Sequence, residues 1–174
     1  RYPIELLAQR KREIGSWRFG REYLLERTSP ETAPLKIEWV KDWTVLPKTL
    51  NYYITVDPAI SLDETADHFA LSVGAVDNVN NLYLVETVKT RITPLEQINL
   101  MIAKYKQYKP LNIGIETVGF QKVLKYWINE VQRQAWAAGD KDILPLYEIK
   151  RAGKTKKQRI MGLAPRMEAG KFYL

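Results

Sequence analysis

After Leu50 the chain first shows three stretches with strand-like residue patterns, and helical and strand-like stretches then take turns. That order constrains the fold more than any single motif. Tyr52-Tyr-Ile-Thr-Val56 is rich in β-branched and aromatic residues and stops at Asp57-Pro58. His68–Val76 and Leu82–Val88 read as the second and third strands, joined through the polar turn Asp77–Asn81 as a hairpin. Pro94 opens a helix in which Ile98, Met101, Ile102 and Tyr105 share a face, and Pro110 ends it. Leu111–Ile115 is a short strand that stops at Glu116. From Gln121 to Ala138 the residues Val123, Leu124, Trp127, Ile128 and Val131 keep a helical period, which Gly139 closes. Ile143–Tyr147 reads as a fifth strand, a basic helix follows, and Lys171–Leu174 begins a last strand. Three antiparallel strands followed by two crossover units predict an α/β fold, a mixed sheet of five or six strands flanked by helices.

Residues 1–49 have a different character. Ile4, Leu7, Ala8 and Ile14 recur at near-helical spacing, as do Trp17, Phe19, Tyr23 and Leu24, and Gly15 breaks the two runs apart. Thr28–Pro34 reads as a loop. The expected organisation is a helical connector over 1–49 and one domain over 50–174. Trp39 and Trp43 are expected to cover the junction between connector and sheet, and Trp127 and Trp136 to lie in the core.

Composition narrows the chemistry. The chain has no cysteine and one histidine, His68, which excludes thiol nucleophiles, disulfides, cysteine-ligated zinc and all-histidine metal sites. A metal here would need oxygen ligands, which favours Mg²⁺, Mn²⁺ or Ca²⁺. In the 174 residues, 27 Lys and Arg against 20 Asp and Glu give a formal charge of +7, which points toward a polyanionic partner. No apolar run approaches the roughly 20 residues that span a bilayer, and the first 15 residues lack the apolar core of a signal peptide. The expectation is a soluble protein of a reducing compartment, with no membrane partner.

Asp57 closes an apolar strand, and ligands of α/β sheets collect at the carboxyl ends of strands. Glu116 closes another. If the first and fourth strands are parallel neighbours, both acids project from one end of the sheet. Asp67 opens the second strand, whose antiparallel course would bring it beside Asp57. Three converging carboxylates repel one another, and a divalent cation relieves that repulsion. Two such ions about 3.5–4 Å apart can clamp the attacking and leaving oxygens of a phosphodiester. Asp63 and Glu64 read as solvated, and His68 as structural. Arg151-Ala-Gly-Lys-Thr155 is not a phosphate-binding loop, because that loop needs glycine where Glu148 stands. Lys150, Arg151, Lys154, Lys156, Lys157 and Arg159 fall within ten residues with no acid among them, which suits a DNA backbone.

An Asp ending the first strand in YYITVDPAIS, an Asp opening the second in ADHFALSVGAV and a Glu ending the fourth in NIGIETVGFQ resemble the ribonuclease H-like nuclease domain of bacteriophage terminase large subunits. The leading EIGSWRFGREYLLERTSP…WVKDWTVLP is similar to the stretch that joins the packaging ATPase domain to that nuclease. The resemblance covers nearly the whole chain. It implies a ribonuclease H-like mixed sheet, and a Mg²⁺- or Mn²⁺-dependent endonuclease that cuts double-stranded viral DNA concatemers during genome packaging. It implies a two-metal site with Asp57 bridging, Glu116 binding one ion and Asp67 as an outer or direct ligand. It also implies the ATPase domain, the small terminase subunit and the portal as partners, in the cytoplasm of an infected bacterium. The family's ATPase motifs are absent from this sequence. Its last metal-binding acid is expected on a helix beyond Leu174. Other readings of the same pattern are a resolvase- or transposase-type nuclease and a catalytically silent DNA-binding or docking module.

Overall fold

The computed structural model describes residues 3–25, 35–59, 68–116, 121–140, 142, 144–150 and 153–174. The strands are β1 (Asn51–Asp57), β2 (Phe69–Val76), β3 (Leu82–Thr90), β4 (Asn112–Glu116), β5 (Leu146–Ile149) and β6 (Phe172–Tyr173). The helices are α1 (Ile4–Ile14), α2 (Ser16–Tyr23), α3 (Pro94–Tyr108), α4 (Gln121–Ala137), α5 (Lys156–Met161) and α6 (Ala164–Glu168), with one turn of 3₁₀ helix at Ile37–Trp39.

The six strands form one mixed sheet in the order β5-β4-β1-β2-β3-β6. β1 pairs antiparallel with β2 and parallel with β4, and β4 pairs parallel with β5. β2 and β3 are neighbours joined by only the residues 77–81, too few for a parallel crossover. This is the expected α/β class: a mixed sheet with antiparallel strands first and parallel ones after.

The chain divides into two compact units. One comprises residues 47–78 and 84–152 and holds the main core. Its sheet residues Ile54, Val56, Phe69, Leu71, Val73 and Ile113 are buried at alternate positions, and the register sets Ile54 level with both Val73 and Ile113. They therefore share one face, onto which α3 sends Ile98 and Met101 and α4 sends Ile128. Burying each such side chain contributes about 1.5–3 kcal/mol. The start of α3 is set locally: Thr93 and Glu96 form a reciprocal capping box and Pro94 occupies the first turn. It ends where Lys109 turns left-handed (φ 45°), just before Pro110.

The other unit comprises residues 1–46, 79–83 and 153–174. Gly15, at φ 80°, separates α1 from α2 as its position in the sequence suggests. The segment 171–174 is flanked on both sides by backbone hydrogen bonds, from Leu82 N–H to the Lys171 carbonyl (2.9 Å) and from Lys41 and Trp43 N–H to Phe172 and Leu174 (both 3.2 Å). Tyr83 stacks on Tyr173 at 4.8 Å. Trp39 and Trp43 are half-buried, and the Thr28–Pro34 loop lies outside the described residues.

Two sequence expectations are corrected. The fifth strand runs over Leu146–Ile149, not Ile143–Tyr147, because Pro145 has no N–H for the ladder and joins it only through its carbonyl, which accepts from Ile113 N–H (2.9 Å). Trp127 and Trp136 are not core residues, being 47% and 52% exposed. Taking Ile128 as the centre of the buried face at 100° per residue, they fall on its opposite flanks.

Candidate metal and phosphodiester site

The ladder between β1 and β4 aligns Val56 with Ile115. One residue further, where both strands end, Asp57 stands level with Glu116. The strands are parallel neighbours about 4.8 Å apart, and residues level across such a ladder project from the same face. Both acids thus end neighbouring parallel strands at the carboxyl end of the sheet, where α/β folds bind ligands. Asp57 is exposed and Glu116 half-buried. The row continues outward through Ala70 on β2, paired with Asp57, and Ile149 on β5, paired with Glu116. Two acids therefore lie between two apolar neighbours. This row sits on the sheet face opposite the core, since Val56 and Leu71 alternate with Asp57 and Ala70.

The strand ends are there for local reasons. Pro58 removes the next ladder donor and disfavours continuation of β1. Beyond it the Ala59 carbonyl accepts a hydrogen bond from Gln97 Nε2 (2.9 Å), which also donates to the Ile92 carbonyl (3.1 Å). Gln97 was not among the residues the sequence singled out. Its signal was there: it lies four residues before Met101, on the core face of α3.

Of the other candidates, Asp67, Asp63, Glu64 and Arg151 lie outside the described residues. His68 is exposed just before β2. Lys150 is exposed directly after β5, in the unit that carries Asp57 and Glu116. Lys154, Lys156 and Lys157 are exposed and Arg159 is half-buried, in the other unit. There Thr155 and Gln158 form a capping box that starts α5, and no acid stands in its first turn. Among the described residues no group of three or more His, Cys, Asp or Glu is assembled to hold a metal, so Asp57 and Glu116 stand as a pair. A pair of carboxylate oxygens is a donor set that fits one hard divalent cation completed by water.

No protein-family model and no curated protein sequence matches the chain. Solved structures with a similar course of chain include that of RuvC from Thermus thermophilus, at 19% identity over 67% of this chain and 80% of that one, TM-score 0.41. The large terminase nuclease from the thermophilic phage G20c is similar at 15% identity over 76% of this chain and 61% of that one, TM-score 0.44. The yeast mitochondrial Holliday junction resolvase is similar at 8% identity over 98% of this chain and 79% of that one, TM-score 0.46. All three TM-scores lie below 0.5, so the case for the site stands on its own geometry. Among the described residues no helix is long and apolar enough to cross a membrane.

Proposed function

We propose that this chain is a divalent-metal-dependent endonuclease of double-stranded DNA, and specifically the nuclease part of a bacteriophage terminase large subunit. The observation that carries the reading is that Asp57 and Glu116 end adjacent parallel strands, each one residue past the last pair of their ladder. Asp57 and Glu116 would hold Mg²⁺ or Mn²⁺, with Asp67 as an outer or direct ligand. A cation held there supplies Lewis acidity toward phosphodiester oxygens and toward water. The protein's own part is to set two carboxylates at one height on a rigid sheet, so that their spacing changes little as a ligand arrives. A positive overall charge and the run from Lys150 to Arg159 support a DNA backbone as the ligand. On this reading residues 1–49 form the connector from an ATPase domain and 50–174 the nuclease domain. The partners are then the DNA, that ATPase domain, the small subunit and the portal, in the cytoplasm of the infected host.

The test is nicking of supercoiled plasmid and of a four-way junction in Mn²⁺ or Mg²⁺ by the chain, Asp57→Asn and Glu116→Gln. Plasmid cleavage that falls to background in both variants, with DNA binding retained, is the expected result. Cleavage confined to the junction would replace the packaging role with a resolvase role. Undiminished cleavage by Asp57→Asn would overturn the site itself.

A further inference from the structure

We infer that Gln97 is a positioning residue that holds the metal-facing end of β1 in place; the inference rests on the reading of Asp57 and Glu116 as a cation site. Gln97 is the one polar side chain among the fully buried residues described, with no exposed surface. Its Nε2 donates to the carbonyls of Ala59 (2.9 Å) and Ile92 (3.1 Å). Both bonds end on acceptors, which fixes the amide's orientation. Its Oε1 consequently faces the other way, buried and without a hydrogen-bond partner among the described residues.

That arrangement is hard to explain by stability alone. A buried amide with one half unpartnered is disfavoured, and a methionine of similar length would fill the same core position without an orphan acceptor. What the amide accomplishes is a tether. Asp57 is the last ladder residue of β1, held by the sheet only on its N-terminal side. Two residues on, Ala59 is buried in the core and bonded to Gln97. Pro58 between them fixes its own φ and restricts the residue before it, so an anchor on Ala59 is transmitted to Asp57. The anchor itself is stiff. Gln97 sits in the first turns of α3, behind the Thr93–Glu96 capping box, and its own N–H bonds the Thr93 carbonyl (2.9 Å). Ile92 follows β3, so one amide joins the exits of β1 and β3 to the start of α3. Asp57 is thereby clamped from both sides, while Glu116 beside it belongs to the ladders of β4.

Side chains that orient metal ligands without touching the metal change affinity by about 10–100-fold when removed. The experiment is Mn²⁺ binding to the 174-residue chain, followed by the loss of free Mn²⁺ signal in electron paramagnetic resonance, at a temperature where every variant is folded by circular dichroism. Gln97→Met removes the donor, and Gln97→Asn withdraws it by one methylene. Met101→Ala, on the same face of α3 one turn on, loosens the core while leaving the Gln97 bond to the Ala59 carbonyl in place. Asp57→Asn removes the ligand. The expected result is at least about 10-fold weaker binding in both Gln97 variants, unchanged binding in Met101→Ala and none in Asp57→Asn. Wild-type affinity in both Gln97 variants, with binding lost in Asp57→Asn, would overturn the tether and leave the cation site standing. Equal weakening in Met101→Ala would also overturn it, by showing a general loosening. Undiminished binding in Asp57→Asn would remove the site and the tether together.

Discussion

At Gly114 the sheet has no room for a side chain. A Cβ there would lie 2.6 Å from Ile149 Cδ1 and 3.0 Å from its Cγ1. Ile149 leans over this position from β5, and it is the residue paired with Glu116. Gly114→Ala should therefore destabilise by about 1–3 kcal/mol through overpacking. Adding Ile149→Val should restore part of that loss, and thermal melts of the single and double variants measure both. A second test at this scale is the cluster on β3 and α3. Lys104 pairs with Glu86 at 2.5 Å, and Tyr108 donates to Glu86 at 2.9 Å. The Lys104 bond holds the Glu86 carboxyl below its usual range, and burial, aided by Glu86, pushes the Tyr108 hydroxyl up to about 12. The signs are opposite. Glu86 contributes stability that is present above the ordinary carboxyl range and lost as acid protonates it. Tyr108 contributes stability that is complete below about pH 10, where the unfolded side chain titrates, and lost by about pH 12. Tyr108→Phe should flatten the alkaline fall in stability and leave the acid limb, which denaturant melts across pH would show. That Asp57 and Glu116 end strands was legible in the sequence, because an acid that closes an apolar run is a local signal. The place of Gln97 on the core face of α3 shows in the spacing, but its bond to Ala59 does not, because the two are 38 positions apart.

Among the elements, the α1–α2 junction shows what spacing reveals and what it hides. Helical periodicity with a glycine between two runs marks both helices, and Gly15 at φ 80° makes the break. What finishes the junction lies far off in sequence. Glu168 of α6 accepts the Ser16 N–H at 2.9 Å and the Ser16 hydroxyl, so a carboxylate from 152 residues away caps α2. No side chain of α2's own N-cap residue, a glycine, can do this. Glu168→Ala should lose a charge-assisted cap worth about 1–2 kcal/mol. Ser16→Ala should lose less, and the double variant should fall short of the sum because the pair is coupled. Urea denaturation of all three measures the cycle. Gly15→Ala meets two obstacles, a left-handed φ and a Cβ only 3.3 Å from Glu168 Oε2. The misplaced fifth strand has a like origin. Its apolar residues begin before Pro145, and Leu144 is indeed buried, but burial and ladder pairing part company at a residue with no N–H.

For the whole molecule, the mixed character of the sheet was legible because a five-residue polar turn permits only a hairpin and each later strand is reached through a helix. The placing of the acids at one end of the sheet follows from the strand order. The grouping of residues 79–83 and 153–174 with 1–46 does not, since it depends on contacts between distant segments that leave no periodic trace. Charge is the property of the molecule that most directly meets a partner, and the formal +7 need not be spread evenly. Lys154, Lys156 and Lys157 are exposed within four residues, with no acid in the first turn of α5 to offset them. If they contact phosphates, each contact releases condensed counterions and adds about 0.9 to the slope of log affinity against log salt. Replacing the three by glutamine keeps length and solubility while removing three charges. Duplex binding by fluorescence anisotropy between low and moderate salt should then show a slope smaller by about 2–3, with affinity reduced equally for unrelated sequences, because phosphates carry no sequence information. An unchanged slope would return the three lysines to solvated surface and move the search for the DNA-facing charge to Lys150, beside the carboxylate row at the end of β5.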